Sequence, residues 1–203
     1  MKQIAEHDIA EHDVAHIAQA KAPLRQRLFD AAATLFYEEG IRGVGVDAIA
    51  RAAGTTKMAL YRHFDSKDAL ITAWLEQLVA QYTAVLDGLA ERYPDAPDRQ
   101  IMGFARFIAD DLARASHRGC PFINSIAELP DASHPARVLL AAHKARQLAR
   151  LQALCKQAGV ANPAAAAVHL SCILEGAQVM AQNGSAPEVG PQMLAMVRAT
   201  LKA

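Results

Sequence analysis

The sequence predicts an all-α protein. Alanine, the strongest helix former, is abundant, and aromatic residues make up only 5% of the 203 residues. Apolar residues recur three and four positions apart along most of the chain. No run alternates apolar and polar residues as a half-buried strand would. We therefore expect an N-terminal three-helix domain with a helix-turn-helix, followed by a larger C-terminal helical domain.

Residues 1–22 are expected to form a flexible leader. A five-residue repeat of Ala, His, Asp and Glu occurs there, and that period makes no apolar stripe on a helix. His12 and His16 are four positions apart, so a metal site is the alternative to a mobile acidic tail. A first helix is predicted over 24–39, where Gly40 ends it. Arg25 and Arg27 near its start are candidates for phosphate contacts.

The stretch 47–67, DAIARAAGTTKMALYRHFDSK, predicts two short helices joined by a tight turn. Gly54 supplies the backbone freedom that such a turn needs, and Thr55 or Thr56 can cap the second helix. Leu60 and Phe64 share one face of that helix, so its other residues are left for contacts. This pattern is typical of a helix-turn-helix, whose second helix enters the major groove of DNA. A helical hairpin inside a bundle is the alternative.

Residues 54–70, GTTKMALYRHFDSKDAL, resemble the recognition-helix signature of TetR-family transcriptional repressors. The matching positions are Ile49-Ala50, Ala53-Gly54, Leu60-Tyr61, Phe64, Ser66-Lys67 and Leu70. Residues 28–46 are similar to the family's first helix and the loop after it. The resemblance covers about the first third of the chain after the leader, and it implies a DNA-binding domain over 23–70.

Two positions depart from the family pattern. Gly45 stands where many members have a Ser or Thr that caps the second helix and contacts a phosphate. Ala59 stands where a hydroxyl or a glycine is common.

The candidates for DNA contacts fall into two groups. Residues near the start of the recognition helix should face base edges, and these are Thr56, Lys57, Met58 and Ala59. Later residues should contact phosphates and fix the register, and these are Tyr61, His63 and Lys67. Thr55 and Arg62 are further candidates for DNA contacts.

The C-terminal region, 71–203, is expected to be a helical regulatory and dimerisation domain. A long helix capped by Asp65 or Ser66 connects it to the first domain and ends near residue 92, before Pro94. Proline, glycine and capping residues then delimit five further helices, predicted over 98–116, 122–129, 134–157, 163–182 and 192–201.

A ligand site is predicted inside this second domain. An apolar cavity with a few polar groups is what a small-molecule site requires. The candidate lining residues are Phe104, Phe107, Ile108, Phe122, Asn124 and His143. A plain hydrophobic core is the alternative interpretation of the phenylalanines.

The helix predicted over 163–182 is apolar nearly all round, so it must be buried on several sides. A homodimer interface would provide that burial, and an intramolecular core is the alternative. The resemblance implies a four-helix dimer bundle built from the last two helices. The candidate interface residues are Leu170, Ile173, Gly176, Ala177 and Met180.

Charge, cysteine spacing and the absence of catalytic motifs limit which kinds of function the chain can have. The net charge is zero, and 21–74 hold eight Lys/Arg against six Asp/Glu, so any DNA contact must be local. Cys120, Cys155 and Cys172 have no CxxC spacing, which favours reduced thiols in the cytoplasm. The apolar run 164–174 is too short to cross a membrane. No catalytic motif or cofactor signature is recognisable, so we expect neither an enzyme nor a bound cofactor.

Together these features predict a DNA-binding transcriptional regulator. The expected form is a homodimeric repressor that a small apolar inducer releases from a palindromic double-stranded operator. A metal- or redox-responsive regulator on the same scaffold is one alternative. A helical ligand-binding protein or enzyme without a DNA role is another.

Overall fold

The computed structural model describes residues 22–113, 118–186 and 188–202, and within these ranges it contains helices and no strand. The predicted leader, with His12 and His16, lies outside the described residues except for Ala22. The helices are α1 (Leu24–Glu39), α2 (Val46–Ala52), α3 (Lys57–Tyr61), α4 (Lys67–Arg92), α5 (Pro97–Leu112), α6 (Pro121–Glu128), α7 (Pro135–Gln157), α8 (Pro163–Gln182) and α9 (Val189–Thr200). The all-α prediction is confirmed.

The chain divides into two compact units between Trp74 and Leu75, slightly later than the boundary expected at residue 70. Helix α4 passes through that division. In the first unit, α1 packs on α2 and α2 on α3. The apolar stripe of α1 supplies Leu28, Ala32 and Phe36 to the core, where the Phe36 and Trp74 rings lie 5.6 Å apart.

The turn between α2 and α3 follows from Gly54. Its φ of 65° lies in the left-handed region that glycine adopts without steric cost. The Thr55 N–H then donates to the Ala50 carbonyl at 2.8 Å, and the Gly54 N–H donates to the Arg51 carbonyl at 3.0 Å. These two bonds form a Schellman motif, which ends α2. The Thr56 hydroxyl accepts from the Ala59 N–H at 3.2 Å and starts α3, so Thr56 is the cap rather than Thr55.

The second unit is built on α5, α7, α8 and α9, which pack against one another, while α6 packs on α7. The core they enclose contains Phe104, Leu151, Leu170 and Met193. Helix α5 ends at Leu112, earlier than the predicted 116, and 114–117 lie outside the described residues. Helix α9 begins at Val189 rather than 192, because Val189 and Gly190 are buried with the rest of its inner face.

Helix α8 requires a correction. With 20 residues and a mean hydropathy of 1.4, it is long and apolar enough to cross a membrane by length and composition. The prediction against a membrane span considered only the apolar run 164–174, whereas the apolar helix covers Pro163–Gln182, so insufficient length was the wrong reason. Packing is the better guide to its setting: one side of α8 contacts α5, α7 and α9, and 33% of the apolar window is buried inside the unit.

Candidate functional site

Helix α3 has one anchored face and one exposed face. Leu60 and, just beyond the helix, Phe64 are buried in the first unit and fix its position. Met58 is 69% exposed and Tyr61 is 46% exposed. Lys57, Arg62 and His63 are exposed beside them. The result is a small surface that combines cations, a phenol and a thioether on a fixed helix.

Several of the predicted contact residues already have partners within the first unit. Lys57 Nζ lies 3.3 Å from Asp47 Oδ2, and Arg62 Nη2 lies 3.9 Å from Met58 Sδ. Lys67 Nζ donates to the Ile41 carbonyl at 2.6 Å, and this bond ties the start of α4 to the loop after α1. Thr55 and Ala59 are half-buried, whereas Thr56 is exposed. These lysines therefore have structural roles as well as positive charge.

The structure gives Arg25 and Arg27 partners inside the first unit. Arg27 Nη2 donates to the Ala53 carbonyl and lies 3.3 Å from the Gly54 carbonyl oxygen. The Arg25 guanidinium lies 4.9 Å from the centroid of the Phe64 ring, which is cation–π distance. Both arginines thus brace α1 against the helix-turn-helix. Sequence reasoning missed this because the contacts are 26 or more residues apart along the chain.

The departure at Gly45 has a visible consequence. Gly45 is the N-cap of α2 with extended backbone angles, and as a glycine it has no side chain that can cap the free N–H groups there. A Cβ at this position would meet nothing within 4 Å. The site is therefore open to a hydroxyl residue that this chain lacks.

In the second unit, most of the predicted ligand-lining residues come together around Tyr82. Its ring centroid lies 4.9 Å from Phe122, 5.2 Å from Phe107, 6.4 Å from Phe104 and 6.2 Å from His143. All four pairs are edge-on, the favoured geometry for aromatic rings. We call this group the aromatic cluster. Tyr82 was not predicted as a site residue, although it lies on the long helix that was predicted to connect the two domains.

His143 is the polar member of the aromatic cluster. It is 3% exposed and lies 4.5 Å from the Phe122 ring, and its Nε2 has no hydrogen-bond partner among the described residues. Burial lowers the pKa of His143 to about 4, and the nearby cations Lys144 and Arg146 act in the same direction. The imidazole is therefore neutral at pH 7, with one unmet hydrogen-bonding atom inside an apolar group.

The other two predicted lining residues are placed differently. Asn124 Nδ2 donates to the Arg118 carbonyl at 2.6 Å, so its amide holds the loop before α6. Ile108 is buried in the hydrophobic core with Phe104 and Ala105.

Metal and thiol chemistry were the alternatives for this unit. Across 22–113, 118–186 and 188–202, no three His, Cys, Asp or Glu side chains are grouped as a metal site requires. Cys120 and Cys155 are free and buried, and burial raises the pKa of both thiols; Cys172 is free and exposed.

Comparison with known proteins identifies the fold and the family. The structure superimposes with a TM-score of 0.84 on the crystal structure of a TetR-family transcriptional regulator from Streptomyces coelicolor. The two chains are 34% identical, and the match covers 91% of this chain and 97% of the other. This chain belongs to the TetR family. The family profile described as "Bacterial regulatory proteins, tetR family" matches 28–74, the part that carries the helix-turn-helix.

Several curated relatives of this TetR-family chain are named transcriptional repressors. KstR2 of Rhodococcus jostii is 42% identical over 77 residues, which span 36% of this chain and 38% of KstR2. DhaR of a Mycobacterium species is 28% identical over 121 residues, 60% of each chain. The chain thus matches less than two thirds of the length of each of these two relatives. Family membership makes it a DNA-binding transcriptional regulator, while its operator and ligand are matters of proposal.

The predicted interface residues of this TetR-family chain separate on the two faces of α8. Gly176 and Met180 are exposed and Ile173 is half-buried. Leu170 and Ala177 are instead buried in the core of their own chain, which corrects their predicted place at an interface. They were misplaced because an all-apolar helix does not reveal from its sequence which side meets its own chain. Other large apolar residues are exposed on these last two helices, namely Val168 and Val179 on α8 and Met196 on α9.

Proposed function

We propose that this chain is a transcriptional repressor that binds a near-palindromic operator as a homodimer and is released by a small, mostly apolar ligand. The observation that carries this proposal is the exposed face of α3, presented on a helix anchored by Leu60. Because the start of a recognition helix enters the major groove, Thr56, Lys57, Met58 and Ala59 would face base edges. Tyr61, Arg62, His63 and Lys67 would lie along phosphates.

The dimer is supported by the outer face of α8 and α9. Val168, Val179, Met180 and Met196 are each between 40% and 49% exposed, and apolar side chains grouped on a surface mark an interaction site. Gly176 adds a position where another backbone can approach, since nothing lies within 4 Å of a Cβ built there. Two identical reading helices would then bind half-sites about 34–36 Å apart, or a multiple of that distance.

Ligand release is supported by the aromatic cluster. Aromatic rings with one unpaired polar atom offer an apolar molecule both packing area and one directional bond. Helix α4 carries Tyr82 and also belongs to the DNA-binding unit, so a ligand that displaces Tyr82 acts on an element of both units. A coupling free energy of about 1–3 kcal/mol changes operator affinity about 5- to 150-fold.

DNA binding is tested by fluorescence anisotropy with a labelled duplex from the promoter region beside the gene. We expect saturable binding that is tighter than binding to a scrambled duplex of equal length. Arg62→Ala should weaken it about tenfold, the loss of one phosphate contact of roughly 1.4 kcal/mol. Arg146→Ala removes the same charge from an exposed position on α7 and should leave affinity unchanged. Equal effects of the two substitutions would contradict the assignment of α3.

Ligand release is tested on whatever small molecule co-purifies, identified by mass spectrometry and then titrated by calorimetry. Linkage requires operator DNA to weaken the binding of an inducer by the same factor that the inducer weakens DNA binding. Equal ligand affinities with and without operator would show that the molecule is no inducer. Phe107→Ala should weaken its binding, and unchanged affinity would remove the aromatic cluster as its site.

A further inference from the structure

An open groove of about 720 Å³ lies on the second unit, lined by residues of α4, the turn after it, α5 and α9. Its floor is apolar, with Val85 and Leu89 from α4 and Met102 and Phe107 from α5. Ligand sites in proteins commonly measure about 300–1,000 Å³, so the groove fits a small organic molecule. Only Phe107 is shared with the aromatic cluster.

Four arginines rise around this apolar floor: Arg92 at the end of α4, Arg99 and Arg106 two turns apart on α5, and Arg198 on α9. Asp98 and Asp110 are the only acids that line the groove, so the lining carries four positive charges against two negative ones. No ion pair within 4.0 Å joins any of the four arginines to a carboxylate in the described parts of the chain. The two acids offset part of this charge without closing on an arginine, so the lining keeps an excess of two positive charges.

Tyr93 helps to position two of these guanidinium groups. Its ring lies 5.4 Å from the Arg92 guanidinium and 6.0 Å from the Arg99 guanidinium, both within cation–π range. Gln100 Nε2 donates to the Tyr93 carbonyl at 2.8 Å and so holds the turn that carries the ring. Guanidinium groups held in place lose less entropy when they bind an anion in a bidentate manner.

The glycines of the groove explain its shape. A Cβ at Gly103 would collide with the Leu89 side chain, so this glycine lets Leu89 lie flat against α5 and form the floor. A Cβ at Gly88 would meet nothing within 4 Å, because Gly88 faces the open space of the groove. A larger side chain at Gly88 would therefore fill the groove without displacing its walls.

We propose that this groove binds an amphipathic small-molecule anion, with the apolar body on the Val85, Leu89, Met102 and Phe107 floor and a carboxylate, sulfate or phosphate-ester head among the arginines. Charge complementarity selects the head, because arginine is always protonated and repulsion among four like charges is relieved when an anion binds. The apolar floor of the groove favours a ligand with an apolar body. This site is separate from operator binding and does not depend on it.

The test uses two fluorescent probes with the same ring skeleton. 8-Anilinonaphthalene-1-sulfonate carries an anionic head, and N-phenyl-1-naphthylamine lacks it. We expect the full chain to bind the sulfonate saturably at one site per chain and several-fold more tightly than the neutral probe. Binding should weaken as sodium chloride is raised, because exposed charges are screened. Inorganic sulfate should compete only weakly, since it has the head without the body.

Substitutions in the groove test whether the sulfonate probe binds there. The double substitution Arg106→Gln with Arg198→Gln should weaken sulfonate binding about tenfold, equivalent to ~1.4 kcal/mol, and leave the neutral probe nearly unaffected. Arg146→Gln, on α7 and outside the groove, is the matched control and should change neither. Gly88→Leu should weaken both probes by filling the groove, with thermal melting confirming the fold. Sulfonate binding that is unchanged in the double arginine variant, or equal for the two probes, would overturn the proposal.

Discussion

Lys57 Nζ lies 3.3 Å from Asp47 Oδ2, so the first cation of the recognition helix is paired with a carboxylate in the first turn of α2. Both side chains are more than half exposed. Such a pair contributes at most about 1 kcal/mol in water, and a phosphate can replace the carboxylate at little cost. The pair therefore affects the charge that α3 presents to DNA more than it affects the free energy of unfolding.

Asp47→Asn should raise affinity for every duplex about twofold to fivefold, because it removes a negative charge near the phosphates and frees Lys57. Anisotropy at low and moderate salt measures this, with a larger gain at low salt. Asp95→Asn, an exposed acid in the second unit, is the control. A loss of affinity in Asp47→Asn with an unaltered melting temperature would mean that the carboxylate positions Lys57 for binding.

Gly45→Ser should restore a cap that α2 lacks. The hydroxyl can accept a free N–H at the start of the helix, worth a few tenths of a kcal/mol over glycine, and it can also donate to a phosphate. We expect a slightly higher melting temperature and about twofold tighter DNA binding. Gly45→Ala adds the Cβ without the hydroxyl, so it should do neither. Equal behaviour of the two variants would rule out a role for the hydroxyl.

Lys67→Ala should lower both stability and DNA affinity. Loss of the bond to the Ile41 carbonyl costs about 1 kcal/mol of unfolding free energy, measured by urea denaturation. Loss of the phosphate contact should weaken binding to all sequences alike and flatten the dependence of log affinity on log salt by about one unit. A change in base preference would instead place Lys67 at a base edge. Tyr61→Phe should weaken binding without changing the salt slope.

His143 predicts a loss of stability in mild acid. The pKa in the folded chain is about 4, below the ordinary 6.5, because burial disfavours the charged imidazole. As pH falls from 6.5 towards 4, the unfolded chain takes up a proton that the folded chain does not. Unfolding free energy therefore decreases across this window, by about 2–3 kcal/mol for this group, and is fully recovered above pH 6.5.

The comparison of His143→Gln with the unaltered protein isolates this effect. The variant cannot take up the proton, so the difference in unfolding free energy between the two proteins should shrink as pH falls from 7 to 4.5. A constant difference for His143→Gln would mean that His143 is not buried as a neutral group.

Val168→Glu should weaken the proposed dimer, because it places a charge on the exposed face of α8. Sedimentation velocity should show a shift towards monomer at concentrations where the unaltered protein is dimeric. Val138→Glu is a matched control, since Val138 is a valine that is 57% exposed on a different helix, α7. Gly176→Leu should also disturb the dimer, and an unchanged dimer in both α8 variants would move the interface elsewhere.

Local signals predicted much of this structure. Helix α1 has the predicted bounds, and α4 begins where Ser66 caps it through the Ala69 N–H at 3.0 Å. Gly54 adopts the left-handed backbone that the turn requires. These features depend on residues within one or two turns of each other, so the sequence contains all the information they need.

Candidate sites were predicted less completely. Phe104, Phe107, Phe122 and His143 do lie together, because each is on the apolar side of its helix. Asn124 was predicted to line a cavity, yet it bonds to the Arg118 carbonyl. Whether an asparagine side chain lines a cavity or bonds to a loop carbonyl depends on its neighbours in space. The periodicity of the sequence does not reveal those neighbours.

The sequence by itself determined the helices, the helix-turn-helix with its polar face, and the TetR-family resemblance, because capping, turn and periodicity signals are local. Only the tertiary structure decided which charges already have partners and which side of α8 remains outside. It alone joined Tyr82 to the aromatic cluster and assembled four arginines from α4, α5 and α9 around one groove. The physical reason is that burial and charge pairing depend on contacts between segments that are distant in the sequence. Those contacts form, and contribute free energy, only when the helices pack together.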